Sequence, residues 1–129
     1  MKFKYTILYV EDVAATLQFY ENAFGFRRKM LHESGDYGEL DTGSTSLSFS
    51  SMKLMSDLGK SPAKANSAAQ TFEIAFETND VANALNRALS AGAELVQELR
   101  DEPWGQTTSY VMDKNQFLIE ICSPVKAQP

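Results

Sequence analysis

The chain repeats its own pattern once, and this repeat limits the possible folds more than any other feature. The segment 5–14, YTILYVEDVA, resembles the segment 73–82, EIAFETNDVA. Further along, LSF at 47–49 corresponds to IEI at 119–121. Because the corresponding segments follow in the same order in both halves, we predict one structural unit that occurs twice.

Each half is predicted to contain one strand, one helix and three further strands. The first strands, 3–10 and 71–78, are rich in aromatic and β-branched residues, which favour extended structure. The shorter strands are predicted at 26–33, 37–41 and 45–51 in the first half and at 94–100, 107–112 and 117–122 in the second. The expected fold class is α+β, built from two βαβββ repeats.

The predicted helices have recognisable ends. Asp12 can cap the first helix, and either Asn79 or Asp80 can cap the second. Gly25 and Gly92 stand where the last turns require a positive φ. Apolar residues at helical spacing between these ends predict one buried stripe on each helix.

We expect a single domain with two halves and a connecting segment. The first half is 1–52, the linker is 53–70, the second half is 71–124 and the tail is 125–129. Glycine, proline, serine and alanine in the linker indicate a surface connection. A flap over the site is the alternative, since long loops are often functional.

Strand alternation separates a core face from a polar face in each half. In segment 46–50, Leu47 and Phe49 are predicted to face the helix, and the three serines to face away. The same alternation, with the correspondence between the two halves, places on the faces opposite the helices Tyr5, Tyr9, Ser48, Glu73 and Glu120. Aromatic walls with a few polar groups are typical of a small-molecule site, so a cleft is predicted; an ordinary solvated sheet face is the alternative.

Charge and composition exclude several classes of partner. The 129-residue chain has a net charge of −5, which disfavours nucleic acid and anionic membranes because phosphates attract Lys and Arg. No apolar run reaches the roughly 18–20 residues of a membrane span, and no signal-peptide cleavage site is evident. Cys122 is the single cysteine, so no intrachain disulfide forms. These features together predict a cytoplasmic protein.

The paired βαβββ units resemble those of the vicinal oxygen chelate superfamily, which includes glyoxalase I, bleomycin-resistance proteins and extradiol dioxygenases. The resemblance is carried by YTILYVED at 5–12, FY at 19–20, AFGF at 23–26, PWG at 103–105 and DKNQFLIE at 113–120. It covers nearly the whole chain. It implies mixed sheets curled around a cleft, one main helix per repeat on the outside, and a homodimer.

The resemblance also identifies four positions that hold a divalent ion in metal-dependent members. In this sequence they are Tyr5, Ser48, Glu73 and Glu120, and only Glu120 matches the usual ligand type. Catalytic transition-metal sites generally need imidazole nitrogens, but His32 is the single histidine and is expected at the surface. We therefore expect no metal cofactor; a divalent metal ion on Glu73 and Glu120 is the alternative.

The resemblance implies a small-molecule-binding protein of the bleomycin-resistance type, rather than an enzyme, that sequesters a cationic or aromatic compound and so confers antibiotic resistance. The predicted ligand-binding residues are Tyr5, Tyr9, Ser48, Glu73, Trp104 and Glu120. Trp104 is expected either to stack on the ligand or to pack in the core. One alternative is a metal-dependent lyase, isomerase or dioxygenase that uses Glu120 and Glu73. Another is an accessory domain whose cleft has lost its function.

Overall fold

The computed structural model describes residues 1–126. Its elements in chain order are β1 (Tyr5–Val10), α1 (Val13–Phe24), β2 (Arg27–Leu31), β3 (Tyr37–Asp41), β4 (Ser46–Ser51), α2 (Met52–Asp57), β5 (Glu73–Glu77), α3 (Val81–Ser90), β6 (Glu94–Glu102), β7 (Gln106–Met112) and β8 (Leu118–Cys122). The chain forms two compact units, Met1–Lys64 and a second that begins at Ala65. The boundary between them lies within the predicted linker, 53–70.

The first unit is a four-stranded mixed sheet with α1 on one face. Its strand order is β1-β4-β3-β2, in which β1 runs parallel to β4 and the other neighbours are antiparallel. The side chains of Leu17, Tyr20, Leu40 and Phe49 are fully buried between α1 and the sheet. The rings of Tyr20 and Phe49 lie 5.1 Å apart, centroid to centroid, at the centre of this core.

Helix α1 begins and ends where its sequence predicts. The Asp12 carboxylate accepts a hydrogen bond from the Ala15 amide at 3.0 Å, and Gly25 ends the helix with φ 76°. The helix lies very close to β3 at Gly38, where an added Cβ would stand 2.6 Å from Leu17 Cδ1. A glycine is needed there because the buried Leu17 leaves no room for a side chain.

The second unit repeats this arrangement. Its strand order is β5-β8-β7-β6, with β5 parallel to β8, and α3 packs against β6, β7 and β8. Of the two predicted caps, Asp80 is the one used: its carboxylate accepts from the Asn83 amide at 3.1 Å. Gly92 follows the helix with φ 107°. The predicted α+β class with two βαβββ repeats is confirmed.

The structure differs from the sequence prediction mainly at the ends of elements. Strand β1 begins at Tyr5 rather than at 3, and β6 continues to Glu102. A short helix, α2, lies at the start of the predicted linker, and Ser51 Oγ caps it by accepting from the Leu54 amide at 3.0 Å. Six residues are too few to give a helical apolar period, so the sequence did not indicate α2.

Two further sequence predictions concern the C-terminal tail and the absence of a membrane span. Part of the predicted tail, 125–129, lies outside the described residues. Within 1–126, no helix is long and apolar enough to cross a membrane.

Candidate functional site

The first unit has a polar sheet face opposite α1, which we call the first polar face. The parallel register pairs Tyr5 with Ser46, Ile7 with Ser48 and Tyr9 with Ser50. Since directly paired residues share one side of a sheet, the predicted site residues Tyr5, Tyr9 and Ser48 lie on the same face. The tyrosines of β1 are half-buried, whereas Ser48 is fully buried.

Strand β3 adds a tyrosine–glutamate pair to the first polar face. The Tyr37 hydroxyl donates to Glu39 Oε2 at 2.7 Å, and Glu39 pairs with Ser48 across the sheet. The pKa of Tyr37 is raised to about 12, mainly by burial. The nearby Ser48 hydroxyl lowers this pKa in part, and the Glu39 carboxylate raises it further. Tyr37 therefore remains a neutral hydrogen-bond donor at physiological pH.

Ser48 occupies the centre of this face on the middle strand β4. Its side chain is 0% exposed, and its hydroxyl has no hydrogen-bond partner among the described residues. Buried polar atoms usually find partners, because leaving one unpaired costs about 1–3 kcal/mol. The face therefore retains an unused hydrogen-bonding group beside Tyr37 and Glu39.

The second unit presents a corresponding second polar face, opposite α3. Glu73, Ala75 and Glu77 of β5 share this face with Leu118, Glu120 and Cys122 of β8 through the parallel register. Tyr110 of β7 pairs directly with Glu120. The predicted residues Glu73 and Glu120 therefore lie on the same face, on adjacent strands.

Tyr110 lies beside two of the three carboxylates of the second polar face, Glu120 and Glu73. Its hydroxyl donates to Glu120 Oε2 at 2.6 Å. This hydrogen bond is the main reason that the pKa of Tyr110 lies well above its ordinary value; burial and the charges of Glu120 and Glu73 raise it further. Glu73 is exposed and Glu120 is half-buried. The result is a negatively charged patch with one neutral hydroxyl donor.

Cys122 lies beside this patch but is not poised to react. Its side chain is only 6% exposed. Burial raises the pKa of the Cys122 thiol to about 11, and the Glu120 carboxylate contributes to the shift. A thiol that stays protonated near neutral pH is a poor nucleophile, so Cys122 serves as a packing residue.

Trp104 lies in the turn between β6 and β7 and is 50% exposed, so it is not a core residue. Its indole nitrogen donates to Gln106 Oε1 at 2.7 Å, and Gln106 Nε2 donates to the Ser123 carbonyl at 2.9 Å. These bonds fix the indole near the end of β8, which carries Glu120. Of the two alternatives for Trp104, core packing is wrong.

His32 lies in the exposed turn that follows β2. Its Nδ1 lies 2.8 Å from Ser34 Oγ and 3.1 Å from the Ser34 amide nitrogen, which donates to it. The expected surface position is confirmed. The imidazole forms its hydrogen bonds within this turn and supplies no ligand to either polar face.

The residues present do not fit the divalent metal ion that metal-dependent relatives of this fold carry. Among residues 1–126, no group of three or more His, Cys, Asp or Glu side chains is arranged to hold a metal ion. Glu73 and Glu120 offer carboxylate oxygens alone, and one Glu120 oxygen already accepts from Tyr110. A catalytic transition-metal site needs nitrogen or sulfur donors that these positions lack.

Sequence reasoning missed three residues of the polar faces: Tyr37, Glu39 and Tyr110. The signal was present in the alternation of two strands. Buried Leu40 places Tyr37 and Glu39 on the opposite side of β3, and buried Val111 does the same for Tyr110 on β7. What alternation does not reveal is that each tyrosine lies within hydrogen-bond distance of a glutamate.

A separate open depression of about 500 Å³ lies elsewhere in the second unit. Its lining residues are Ser67, Gly92, Glu94, Val96, Met112, Asp113, Lys114 and Gln116. None of the predicted site residues is among them. Gln116 closes part of its rim, because its Oε1 accepts from the Ser67 amide at 3.2 Å.

The family model of the glyoxalase-like domain matches residues 3–126, nearly the entire chain. The chain belongs to the glyoxalase-like domain family. The match confirms the resemblance to the vicinal oxygen chelate superfamily. A comparison of this glyoxalase-like domain with curated proteins gives no significant match.

Solved structures show the same fold at low sequence identity. A glyoxalase/bleomycin resistance protein/dioxygenase family enzyme from Burkholderia phytofirmans PsJN is 19% identical, with TM-score 0.79 over 93% of this chain and 96% of that one. A glyoxalase-related enzyme from Fulvimarina pelagi is 21% identical, with TM-score 0.79 over 95% and 87% of the two chains. TioX from Micromonospora sp. ML1 is 23% identical, with TM-score 0.73 over 95% and 98%. At these identities the likeness establishes the fold and leaves the ligand open.

Proposed function

We propose that this glyoxalase-like domain binds a cationic or polar aromatic small molecule without a divalent metal ion, in the manner of a bleomycin-resistance protein. The observation that carries the proposal is the second polar face. There the Tyr110 hydroxyl donates a 2.6 Å hydrogen bond to Glu120 Oε2, and Glu73 lies nearby. A sequestering protein needs recognition groups alone, and this face supplies charge and hydrogen bonding without a nucleophile.

Within residues 1–126, no basic side chain neutralises the charge of the second polar face. Among the described residues, neither Glu73 nor Glu120 forms an ion pair with a basic side chain. A half-buried carboxylate gains more from a cationic partner than an exposed one does, because water screens it less. These features favour a ligand with an ammonium, guanidinium or other cationic group.

The first polar face, considered by itself, carries aromatic groups that suit a cationic ligand. It carries the half-buried rings of Tyr5, Tyr9 and Tyr37. The Lys4 ammonium already lies 5.3 Å from the centre of the Tyr5 ring, a separation at which an aromatic ring attracts a cation. Tyr5 is therefore suited to the same contact with a cationic ligand.

Binding is tested with four probes of similar size: benzylamine, benzyltrimethylammonium, benzyl alcohol and benzoate. Amide chemical-shift mapping of the ¹⁵N-labelled chain, with Trp104 fluorescence as a second readout, should show binding of the two cations. We expect the shifts to concentrate around Glu73, Tyr110 and Glu120, and benzoate to produce none there.

The same titrations are repeated after treatment with a chelator and with added Mg²⁺, Zn²⁺ or Ni²⁺. Unchanged cation binding in the presence of chelator supports the proposal. The proposal fails if no cationic probe shifts these resonances. Binding that appears with added metal alone would instead favour the metal-dependent lyase, isomerase or dioxygenase.

A further inference from the structure

We infer that the ligand of the second polar face also carries a carboxylate, and that the guanidinium of Arg100 on β6 binds it. The ligand is then a zwitterion, with its cationic group beside Glu73 and Glu120 and its carboxylate at Arg100. The cationic half of this inference rests on the proposed function, whereas the carboxylate subsite can be tested separately. All of these residues belong to the second unit.

Arg100 lies on the same side of the sheet as the second polar face. It pairs with Thr108 of β7, and Thr108 pairs with Cys122 of β8, so the three residues share that side. Glu120 is two residues from Cys122 along β8, and β7 separates β8 from β6. Two strand spacings of about 4.8 Å and a two-residue step of about 6.6 Å place the Cα atoms of Arg100 and Glu120 about 12 Å apart. One ligand of moderate length can therefore contact both side chains.

A largely buried carboxylate holds the Arg100 side chain in place. Arg100 Nε donates to Glu102 Oε1 at 2.7 Å, and the Glu102 side chain is 8% exposed. The same oxygen accepts from the Thr108 hydroxyl at 3.0 Å, and Thr108 Oγ1 accepts from Gln97 Nε2 at 3.2 Å. The hydrogen bond from Arg100 is the main reason that the pKa of Glu102 lies below its ordinary value. This network fixes the direction of the guanidinium.

The outer end of the guanidinium is available to a ligand. Among residues 1–126, the Arg100 side chain donates through Nε alone, so its two Nη groups have no hydrogen-bond partner there. The side chain is 61% exposed. Two adjacent Nη groups match the two oxygens of a carboxylate, and paired hydrogen bonds between charged groups are strong. Glu102 balances the charge of Arg100 but occupies one of its five donors, which leaves this pair of Nη groups for the ligand.

The subsite has an aromatic neighbour in the turn between β6 and β7. Gln106 pairs with Glu102 across this turn, and its Oε1 accepts from the Trp104 indole at 2.7 Å. The half-exposed indole is thereby attached to the same end of the sheet as Arg100. Trp104 fluorescence should therefore respond when the carboxylate subsite is occupied.

Arg28 of β2 provides a matched comparison, because it also pairs with one glutamate. Its guanidinium donates to Glu21 Oε1 through two nitrogens, Nε at 3.2 Å and Nη2 at 2.8 Å. Arg28 lies on the helix side of the first sheet, since it pairs with the buried Leu40. The two arginines therefore share residue type and partner, but Arg28 lies away from both polar faces and has one Nη group already engaged.

Three probes built on one biphenyl frame test the inference with the ¹⁵N-labelled full chain. They are 4′-(aminomethyl)biphenyl-4-carboxylate, its carboxamide, and biphenyl-4-carboxylate, which carry both charges, the cation alone and the anion alone. Amide titrations give the dissociation constants, and the Arg100 Nε–Hε resonance reports on the subsite directly. We expect the zwitterion to bind at least about tenfold more tightly than the carboxamide and to shift the Arg100 resonance.

Two variants assign the preference to its residue. Arg100→Gln should make the zwitterion and the carboxamide bind equally well. Arg28→Gln makes the same change in net charge and should keep the preference for the zwitterion. Circular dichroism of both variants verifies folding, and a preference that survives Arg100→Gln overturns the inference.

The probes also separate this inference from the proposed function. Equal affinities of the zwitterion and the carboxamide for the unmodified chain, with both bound beside Glu120, overturn the carboxylate subsite and leave the proposed cation site standing. If no cationic probe shifts the resonances of Glu73 and Glu120, the proposed function fails and the zwitterionic ligand with it. In that case a shift of the Arg100 Nε–Hε resonance by biphenyl-4-carboxylate still supports the carboxylate subsite, and no shift overturns it.

Discussion

The Tyr110 hydroxyl donates a 2.6 Å hydrogen bond to Glu120 Oε2 across the middle of the second sheet. A tyrosine–glutamate pair also lies on the first sheet, where Tyr37 donates to Glu39 at 2.7 Å. In each case a neutral phenol orients a carboxylate on the face opposite the main helix. The two repeats of this glyoxalase-like domain therefore present similar chemistry although their sequences at these positions differ.

Replacing Tyr110 by phenylalanine should destabilise the protein measurably. The change leaves the half-buried Glu120 without its hydroxyl donor, and hydrogen bonds to charged groups contribute about 1.5–3 kcal/mol, so we expect the free energy of unfolding to fall by about 1–2 kcal/mol. Urea denaturation at neutral pH measures it. Tyr5→Phe is the matched control, because the Tyr5 hydroxyl forms no hydrogen bond with any residue of 1–126. An equal loss in both variants would contradict this role of Tyr110.

Glu120→Gln should weaken binding of benzylamine at least about tenfold, because an amide keeps the shape of the carboxylate and removes its charge. Amide chemical-shift titration measures the dissociation constant. Glu33→Gln makes the same change in an exposed turn and should leave affinity unaltered. Equal affinities of the Glu120 variant and the unmodified chain would remove the second polar face as the cation site.

Stability should decline at alkaline pH. The pKa of Cys122 rises from an ordinary value of 9.0 to about 11 in the folded state, and that of Tyr37 rises from 10.0 to about 12. A raised folded-state pKa contributes stability that is fully present below the unfolded value and is lost as pH rises through the folded value. The Cys122 contribution therefore disappears between about pH 9 and pH 11, and the Tyr37 contribution between about pH 10 and pH 12.

We expect the free energy of unfolding to fall by about 1–2 kcal/mol from pH 9 to pH 11, as measured by urea denaturation across that range. Cys122→Ala should give a shallower decline over the same interval, because alanine has no proton to lose. A decline of the same slope in the variant would show that other groups cause it.

Gly38→Ala should destabilise the contact between α1 and β3. The new Cβ would lie 2.6 Å from Leu17 Cδ1 and 3.2 Å from the Met30 carbonyl oxygen, so the buried Leu17 side chain or the helix that carries it must shift. Overpacking of this kind costs about 1–3 kcal/mol. In a Leu17→Ala background the same substitution should cost less, since the clashing methyl group is gone. Thermal or urea unfolding of the four proteins in this double-mutant cycle gives the coupling, and purely additive effects would contradict it.

Removing divalent metal should change neither stability nor ligand affinity. Glu73 and Glu120 provide two carboxylates and no imidazole, which would hold a hard ion such as Mg²⁺ only loosely. Differential scanning fluorimetry with chelator, and then with stoichiometric Zn²⁺ or Ni²⁺, should give the same melting temperature. A rise that depends on Glu120 would indicate a metal site there.

Much of the fold was predictable because its signals are local. The caps Asp12 and Asp80 and the terminating glycines Gly25 and Gly92 marked both main helices. Helix α2 was not predicted, because a helix of about one and a half turns depends on the Ser51 cap and on contacts with β1 and β4. Short elements such as this one gain their stability from tertiary packing rather than from a repeating pattern.

The sequence by itself determined the repeat, the order of the elements and the side of each strand to which a residue belongs. Alternation together with the repeat placed Tyr5, Tyr9 and Ser48 on one face, and Glu73 with Glu120 on another. Only the tertiary structure decided that Tyr110 meets Glu120, that Tyr37 meets Glu39, that the Ser48 hydroxyl is buried without a hydrogen-bond partner in the described part of the chain, and that Trp104 is exposed. The reason is physical: side-chain direction follows from the chain's own backbone geometry, whereas the Tyr110–Glu120 contact depends on the register between two strands, and the Tyr37–Glu39 contact and the burial of each side chain depend on rotamers and packing in the folded sheet.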